Sequence, residues 1–391
     1  MRVSRLARIP GIGVDKVGDA ADAAGDPEIL RLENLDTDLR PPAVALDATR
    51  RSIDDDAANS YLPFQGHLPL REAAAAHVGR VVGASYDPRR ECVCVAGGLN
   101  GILNALLATV EPGREVVICD PIYAGLVNRI HLVGGIPRFV QATPTPQGWE
   151  VDPGALAAAV GPTTAAVLLM SPAMPTGLLL DDRHWDALAP IVAAHRPWII
   201  YDAAMEHLRF DGTPPSHPGS HPDLQGRTIT VGSASKELRM IGWRVGWVVG
   251  PAEIMADVEL VGMANVVCQV GIAQQAVACA LTHPSHRQDL TDVTRTWAER
   301  HAAILAELAG YPVVPAHGGW SLLVDMRPLG LTPAEASARL LEHGKVAATP
   351  MNGWGPSGEH YLRLVFANEP IGRLSGLRGR FDAALGSGAR R

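Results

Sequence analysis

The string SASKELRMIGWRVGW (233–247) carries the densest chemistry in the sequence. Lys236 follows a β-like run and sits beside Ser235, with Ser233 three positions before it and Arg244 eight positions after it. A lysine that forms a Schiff base with a carbonyl needs a fixed stem and surroundings that let its ammonium lose a proton. A phosphate needs hydroxyls, backbone N–H groups and a guanidinium around it. Ser233, Ser235 and Arg244 supply the side-chain part of that set. A lone loop lysine would be read as solvated surface; the whole string argues against that reading here.

Other segments place reactive types at the ends of apolar runs. VAGGLNGILNALL (95–107) reads as a glycine-rich turn opening a helix, where the backbone N–H groups of Gly98, Leu99 and Asn100 are free to meet an anion. In IIYDAAMEHLRFDG (199–212), Asp202 ends a run of buried character, and a buried aspartate with no cationic partner is costly unless it has a task. DPIYAG (120–125) puts Tyr123 just past another such run, and YLRLVFA (361–367) puts Arg363 inside one.

These stations resemble, in the same order and over nearly the whole chain, class I/II aminotransferases, the fold-type I enzymes that depend on pyridoxal 5'-phosphate. SxSK…GWRxG resembles their lysine motif, which makes Lys236 the residue that holds the cofactor and moves the proton. The resemblance implies that Gly98, Leu99, Asn100, Ser233, Ser235 and Arg244 hold the phosphate. It implies that Tyr123 stacks on the pyridine ring and Asp202 pairs with the pyridine nitrogen, keeping it protonated so that the ring accepts electrons. SYLPFQGHLPLREA (60–73) is similar to the segment whose tyrosine crosses to the neighbouring subunit's phosphate, so Tyr61 inherits that role and a homodimer with sites at its interface is implied. Arg363 matches the arginine that pairs with the substrate α-carboxylate. The activity implied is transfer of an amino group between an L-amino acid and a 2-oxo acid such as 2-oxoglutarate; a C–S lyase, cyclase or oxidase on the same fold is the alternative.

Three departures stand out. SPAMPTG (171–177) resembles the family's S-P-x-N-P-T-G with Met174 in place of the asparagine, and Met205 replaces a common tyrosine. Both lost residues donate to the cofactor's phenolic oxygen, and a thioether cannot donate. In LENLDTD (32–38), the substrate-covering stretch, Glu33 stands where a glycine is usual. Glu33 is read either as a solvated loop acid or as a contact for the substrate side chain. Arg239, three residues past Lys236, is a candidate cation for a second substrate carboxylate, and with it the reading leans to aspartate or glutamate; a polar or cationic amino acid chosen by Glu33 is the alternative.

The elements that must position these residues are legible as runs. ECVCV (91–95), EVVICD (115–120), AAVLLM (165–170), PWIIYD (197–202), RTITVG (227–232) and RVGWVVG (244–250) lack polar alternation, as strands buried on both faces do. Helical spacing at 99–110 and 181–195 alternates with them, which predicts a mainly parallel α/β sheet with ligands at the strands' carboxyl ends. Beyond Pro251 come helical stretches at 253–263, 274–281 and 286–308, then strand-like SLLVDM (321–326) and YLRLVF (361–366), then a closing helix over 371–385. The expected division is a large domain at 44–280 and a smaller α+β domain from 1–43 and 281–391. With 391 residues, 47% hydrophobic and 19% charged, the chain has room for both cores. The net charge of −7 argues against nucleic acid as partner, and Arg89–Arg90 and Arg390–Arg391 are too short to form a basic stripe. Cys92, Cys94, Cys119, Cys268 and Cys279 are odd in number and scattered, which suits reduced thiols in the cytoplasm and no metal site. No apolar run has signal-peptide or membrane-spanning length.

Overall fold

Uninterrupted Val, Ile and Leu runs form strands where both faces are covered, and six such runs do so here. The computed structural model describes residues 3–9 and 11–386; Arg390 and Arg391 lie outside them. The strands are β1 Cys92–Val95, β2 Glu115–Asp120, β3 Ile136–Gln141, β4 Thr164–Met170, β5 Trp198–Asp202, β6 Thr228–Ser233 and β7 Gly246–Val249. They make one seven-stranded sheet in the order β1-β7-β6-β5-β4-β2-β3. Neighbours are parallel except β7, which is antiparallel to both β1 and β6. β3 escaped the sequence reading because Pro137 and Arg138 interrupt its apolar pattern; it is an edge strand with alternating exposure, the place where a proline is tolerated.

Helices cover both faces. On one lie α2 (Leu68–Val82), α5 (Asp182–His195) and α7 (Gly271–Thr282); on the other lie α3 (Gly98–Thr109), α4 (Ala124–Leu132) and α6 (Ala252–Asn265). Cys92 and Cys94 share the first face, as their alternation with valine predicts, and burial pushes the Cys94 thiol up to about 12. Such a thiol is not a nucleophile near neutral pH.

A second, antiparallel sheet is built from β8 Val313–Val314, β9 Ser321–Asp325, β10 Thr349–Pro350 and β11 Tyr361–Val365, in the order β8-β9-β11-β10. The long helix α8 (His286–Glu307) precedes it. The N-terminal arm, after helix α1 (Val14–Ala24), joins this part of the molecule through a parallel ladder pairing Leu30 with Val346 and Arg31 with Ala347. Val365 extends the tie by donating to the Leu32 carbonyl at 2.8 Å. The closing helix expected over 371–385 is broken into Ile371–Leu374 and Leu377–Leu385, because Gly376 between them has a φ of +83°.

Candidate active site

The carboxyl ends of β1, β2, β4, β5 and β6 all point to one edge, and the loops leaving them build a cavity of about 730 Å³. β1 leads through Gly97 into α3, whose first residues Gly98 and Leu99 line the cavity. β2 leads to Tyr123, the residue capping α4; β4 leads to Met174; β5 ends on Asp202 and continues to Met205; β6 ends on Ser233 and continues to Lys236. Because β7 runs antiparallel, its start lies at this same edge, and Arg244 just before it is delivered there too. From the second sheet, β11 contributes Arg363, and the arm contributes Glu33, Asn34 and Leu35.

One corner of the cavity is a cradle of donors. Gly98 N–H lies 3.4 Å from Ser233 Oγ, and Arg244 Nη1 lies 3.4 Å from Ser235 Oγ. Gly97 is favoured by its conformation, φ +84°, and a Cβ there would stand 2.5 Å from Arg244 Nη2 and push the guanidinium aside. The first-turn N–H groups of a helix, two hydroxyls and a guanidinium converge on a space that a side chain would fill.

Lys236 extends into the middle of the cavity. Its Nζ donates to the Leu35 carbonyl at 3.1 Å and lies 4.7 Å from the centre of the Trp320 ring. Burial, helped by Arg363 and Arg244, pushes the amine down to about 7, although Asp36 and Asp202 pull the other way. The lysine loop is pinned by its neighbours. Glu237 accepts from the His207 N–H at 2.9 Å and lies 3.2 Å from the ring Nδ1; burial opposes the imidazolium, but Glu237 and Glu206 outweigh it and raise His207 to about 9. Asp202 is buried, which raises it to about 6 against the pull of the Ala204 N–H, Lys236 and Arg129. Arg363 is fully buried under the Trp354 ring, 4.6 Å away. It donates to the Glu33 carbonyl and, at 3.2 Å, to Thr349 Oγ1, while its Nε has no partner. Burial lowers it to about 10, so it stays charged.

Lys236, Asp202, Arg363, Arg244, Ser233, Ser235, Tyr123, Gly98, Leu99 and Glu33 are thus brought together. Two expectations are corrected. Asn100 is not on the cavity: its N–H donates to the Gly97 carbonyl at 3.1 Å and its side chain accepts from the Ala96 N–H at 3.0 Å. Arg239 is not on the cavity either. Its guanidinium grips both Asp289 oxygens at 3.0 and 2.8 Å and donates to the carbonyls of Arg40 and Glu237, so it staples the lysine loop to the arm and to α8. Nor is Glu33 a solvated loop acid; it is completely buried and pairs with Arg31 at 2.7 Å. Tyr61 stands apart from the cavity and is 82% exposed. The sequence reading missed Arg31 and one face of α1, with Asp15, Asp19 and Asp22, which also line the cavity. The i, i+4, i+7 spacing of these acids was the available signal.

A pocketed lysine of lowered pKa, a phosphate cradle and an aspartate at a strand end define a fold-type I pyridoxal-phosphate site, and comparisons with known proteins agree. The family model for class I and II aminotransferases matches residues 30–375. A probable N-succinyldiaminopimelate aminotransferase of Mycobacterium tuberculosis is 36% identical over 343 residues, 82% of this chain and 86% of the relative. An arginine–pyruvate transaminase of Pseudomonas aeruginosa is 32% identical over 351 residues, 88% of this chain and 87% of the relative. The solved structure of the Mycobacterium tuberculosis N-succinyldiaminopimelate aminotransferase superimposes with a TM-score of 0.90 at 30% identity, over 97% of this chain and 99% of that one. The chain belongs to the class I and II aminotransferase family and is a pyridoxal-phosphate-dependent aminotransferase. The residues present fit the cofactor. The cradle offers donors to a phosphate, burial lets Lys236 lose its proton near neutral pH, and Asp202 adds a carboxylate to the same cavity. The fit is poorer at Met174 and Met205, which line the cavity at the two positions where the resemblance implies donors to the phenolic oxygen and which cannot donate.

Proposed function

We propose that this enzyme transfers the amino group of an L-amino acid to a 2-oxo acid such as 2-oxoglutarate, with Lys236 as its catalytic residue. The observation that carries the proposal is one cavity holding a lysine amine lowered to about 7, the Asp202 carboxylate and the buried guanidinium of Arg363. Gly98, Leu99, Ser233, Ser235 and Arg244 would hold the phosphate, Tyr123 the ring face, and Asp202 the ring nitrogen. Bound pyridoxal phosphate supplies an electron sink that stabilises negative charge at the substrate Cα. Arg363 fixes the substrate by its α-carboxylate, so that the Cα–H bond faces Lys236. Lys236 Nζ would take the Cα proton and pass it, on the same face, to the cofactor's aldehyde-derived carbon, so that the substrate leaves as a 2-oxo acid and the amino group stays behind, a task suited to an amine that titrates near the working pH. Trp320 packs 4.7 Å from Lys236 Nζ, Trp354 packs 4.6 Å from the Arg363 guanidinium, and the arm at Leu35 holds the amine, which fixes the two groups relative to each other.

The donor side chain is not dictated by the family, since the relatives' names point to an N-succinylated diamino acid in one case and to arginine in another. The lean toward aspartate or glutamate follows the family's commonest substrates and has Arg239 as its only local support, which the ion pair with Asp289 removes. We also infer a cytoplasmic homodimer, divided into a large domain at 44–280 and a small one from 1–43 and 281–391. Exposed Tyr61, Phe64, Leu260, Met263, Val267 and Val270 support an interface: Gln65 meets Glu259 at 2.6 Å, so the two segments adjoin. No helix among the described residues is long and apolar enough to cross a membrane. The test is a single half-reaction with one amino acid, analysed by mass. Stoichiometric 2-oxo acid and pyridoxamine phosphate are expected; deamination that leaves pyridoxal phosphate unchanged would overturn the reading.

A further inference from the structure

The cavity is lined by cations and anions drawn from different elements. Lys236, Arg244 and Arg363 come from the sheet edge and from β11. The acids come from elsewhere: α1 brings Asp15, Asp19 and Asp22 to the cavity, and the arm adds Glu33. Arg31 is the cation among them, and it is already engaged, with Asp22 at 2.6 Å and Glu33 Oε1 at 2.7 Å. Four carboxylates therefore face one guanidinium, and that guanidinium is not free to receive a substrate carboxylate.

Glu33 is the decisive residue. Its side chain is completely buried, it lines the cavity, and its Oε2 has no hydrogen-bond partner. A buried carboxylate oxygen left unpaired is unfavourable, and a donor entering the cavity relieves that. Its own backbone carbonyl meanwhile receives Arg363, so one residue borders both the α-carboxylate anchor and the acidic wall. We propose that Glu33, with Asp19 and Asp15 of α1, forms a subsite for the distal guanidinium or ammonium of a basic L-amino acid. This rests on the aminotransferase reading above and narrows its donor. A dicarboxylic donor would set its second carboxylate against the wall, a like-charge contact. An apolar side chain would cover Glu33 Oε2 without pairing it.

The experiment follows the cofactor band of the holoenzyme in single half-reactions with arginine, lysine, norleucine, glutamate and alanine. Wild type is expected to favour arginine or lysine over norleucine by roughly 30-fold or more, the effect of one buried charge contact. Glu33→Gln is expected to erase most of that preference, and Asp19→Asn part of it. Asp19 is exposed, so its replacement spares the fold. A second readout needs no turnover: calorimetric titration with 5-guanidinopentanoate, which keeps both charges but lacks the reacting amine, against hexanoate. The guanidino acid is expected to bind more tightly, with an advantage that shrinks in high salt and in Glu33→Gln. Norleucine or glutamate reacting as well as the basic amino acids, or a preference untouched by both variants, overturns the subsite and leaves the transaminase standing. Failure of every amino acid, alanine included, overturns the transaminase reading, and the calorimetry then still decides the subsite.

Discussion

The Lys236 amine donates to the backbone carbonyl of Leu35 at 3.1 Å, so the residue at the centre of the site is tied to the N-terminal arm and not to a carboxylate. A carbonyl partner leaves the charge of an ammonium uncompensated. Burial, with Arg363 and Arg244, therefore dominates and brings the amine from 10.5 down to about 7. The neutral amine is the form that captures a carbonyl, and its fraction grows as pH rises through the folded-state value. Capture of pyridoxal phosphate by the cofactor-free protein is expected to speed up between about pH 6 and pH 8 and to level off above, as for a base titrating near 7. Stopped-flow growth of the borohydride-reducible band against pH measures this. An inflection near 10 would mean that the lysine keeps its ordinary basicity.

Met174 and Met205 are both buried on the cavity wall, and the Met174 sulfur is 3.8 Å from Arg363 Nη1. Neither can donate to the cofactor's phenolic oxygen. Donors there stabilise the oxygen anion and loosen its hold on a neighbouring proton, so their loss leaves a more basic oxygen. Met174→Asn or Met205→Tyr is expected to lower the acid–base midpoint of the visible cofactor band by about one unit, as a new hydrogen bond to the anion does. A spectrophotometric titration with no change or a rise in both variants refutes this account.

Much of this site was readable because its chemistry sits at strand ends, and strands buried on both faces announce themselves as apolar runs. β5 and β6 end on Asp202 and Ser233, and the reactive residues follow within a few positions. What escaped is set by contacts distant in sequence. The acids of α1 had a legible helical spacing, but that they face the cavity depends on the arm's ladder from Leu30 and Arg31 to Val346 and Ala347. Arg239 misled for the opposite reason. Closeness to Lys236 suggested the cavity, whereas its left-handed backbone, φ +55°, sends the guanidinium to Asp289. Asn100 shows the limit of a turn motif: the helix consumes its N–H internally.

Arg239 should accordingly behave as a positioning residue. Its side chain is almost fully buried while that of Asp289 is 31% exposed. Arg239→Ala is expected to cost about 3 kcal/mol of stability, the low end for a broken buried pair because Asp289 regains water. Turnover should fall by the same factor for alanine, glutamate and arginine, since the loss acts through the lysine loop. Thermal unfolding and the donor panel check both parts. A loss confined to dicarboxylic donors would return Arg239 to the substrate.

Tyr61 offers the sharpest test of assembly. It is 82% exposed and lies off the cavity of its own chain, although its segment resembles one that serves a neighbouring subunit's phosphate. If that role holds, Tyr61 and Lys236 of one active site come from different chains. Tyr61→Phe is then expected to weaken cofactor retention, and Lys236→Ala to abolish both the reducible band and turnover. Each variant alone has every site damaged. Mixing the two in equal amounts under conditions that exchange subunits yields mixed dimers, in which one site combines an intact Lys236 with an intact Tyr61 and the other has lost both. Random exchange makes half the dimers mixed, so about a quarter of all sites should regain full cofactor affinity, as two-fold symmetry requires. The measurement is turnover at limiting pyridoxal phosphate before and after exchange, with sedimentation confirming the dimer. A mixture that never exceeds the average of its two components would place Tyr61 outside the partner's site.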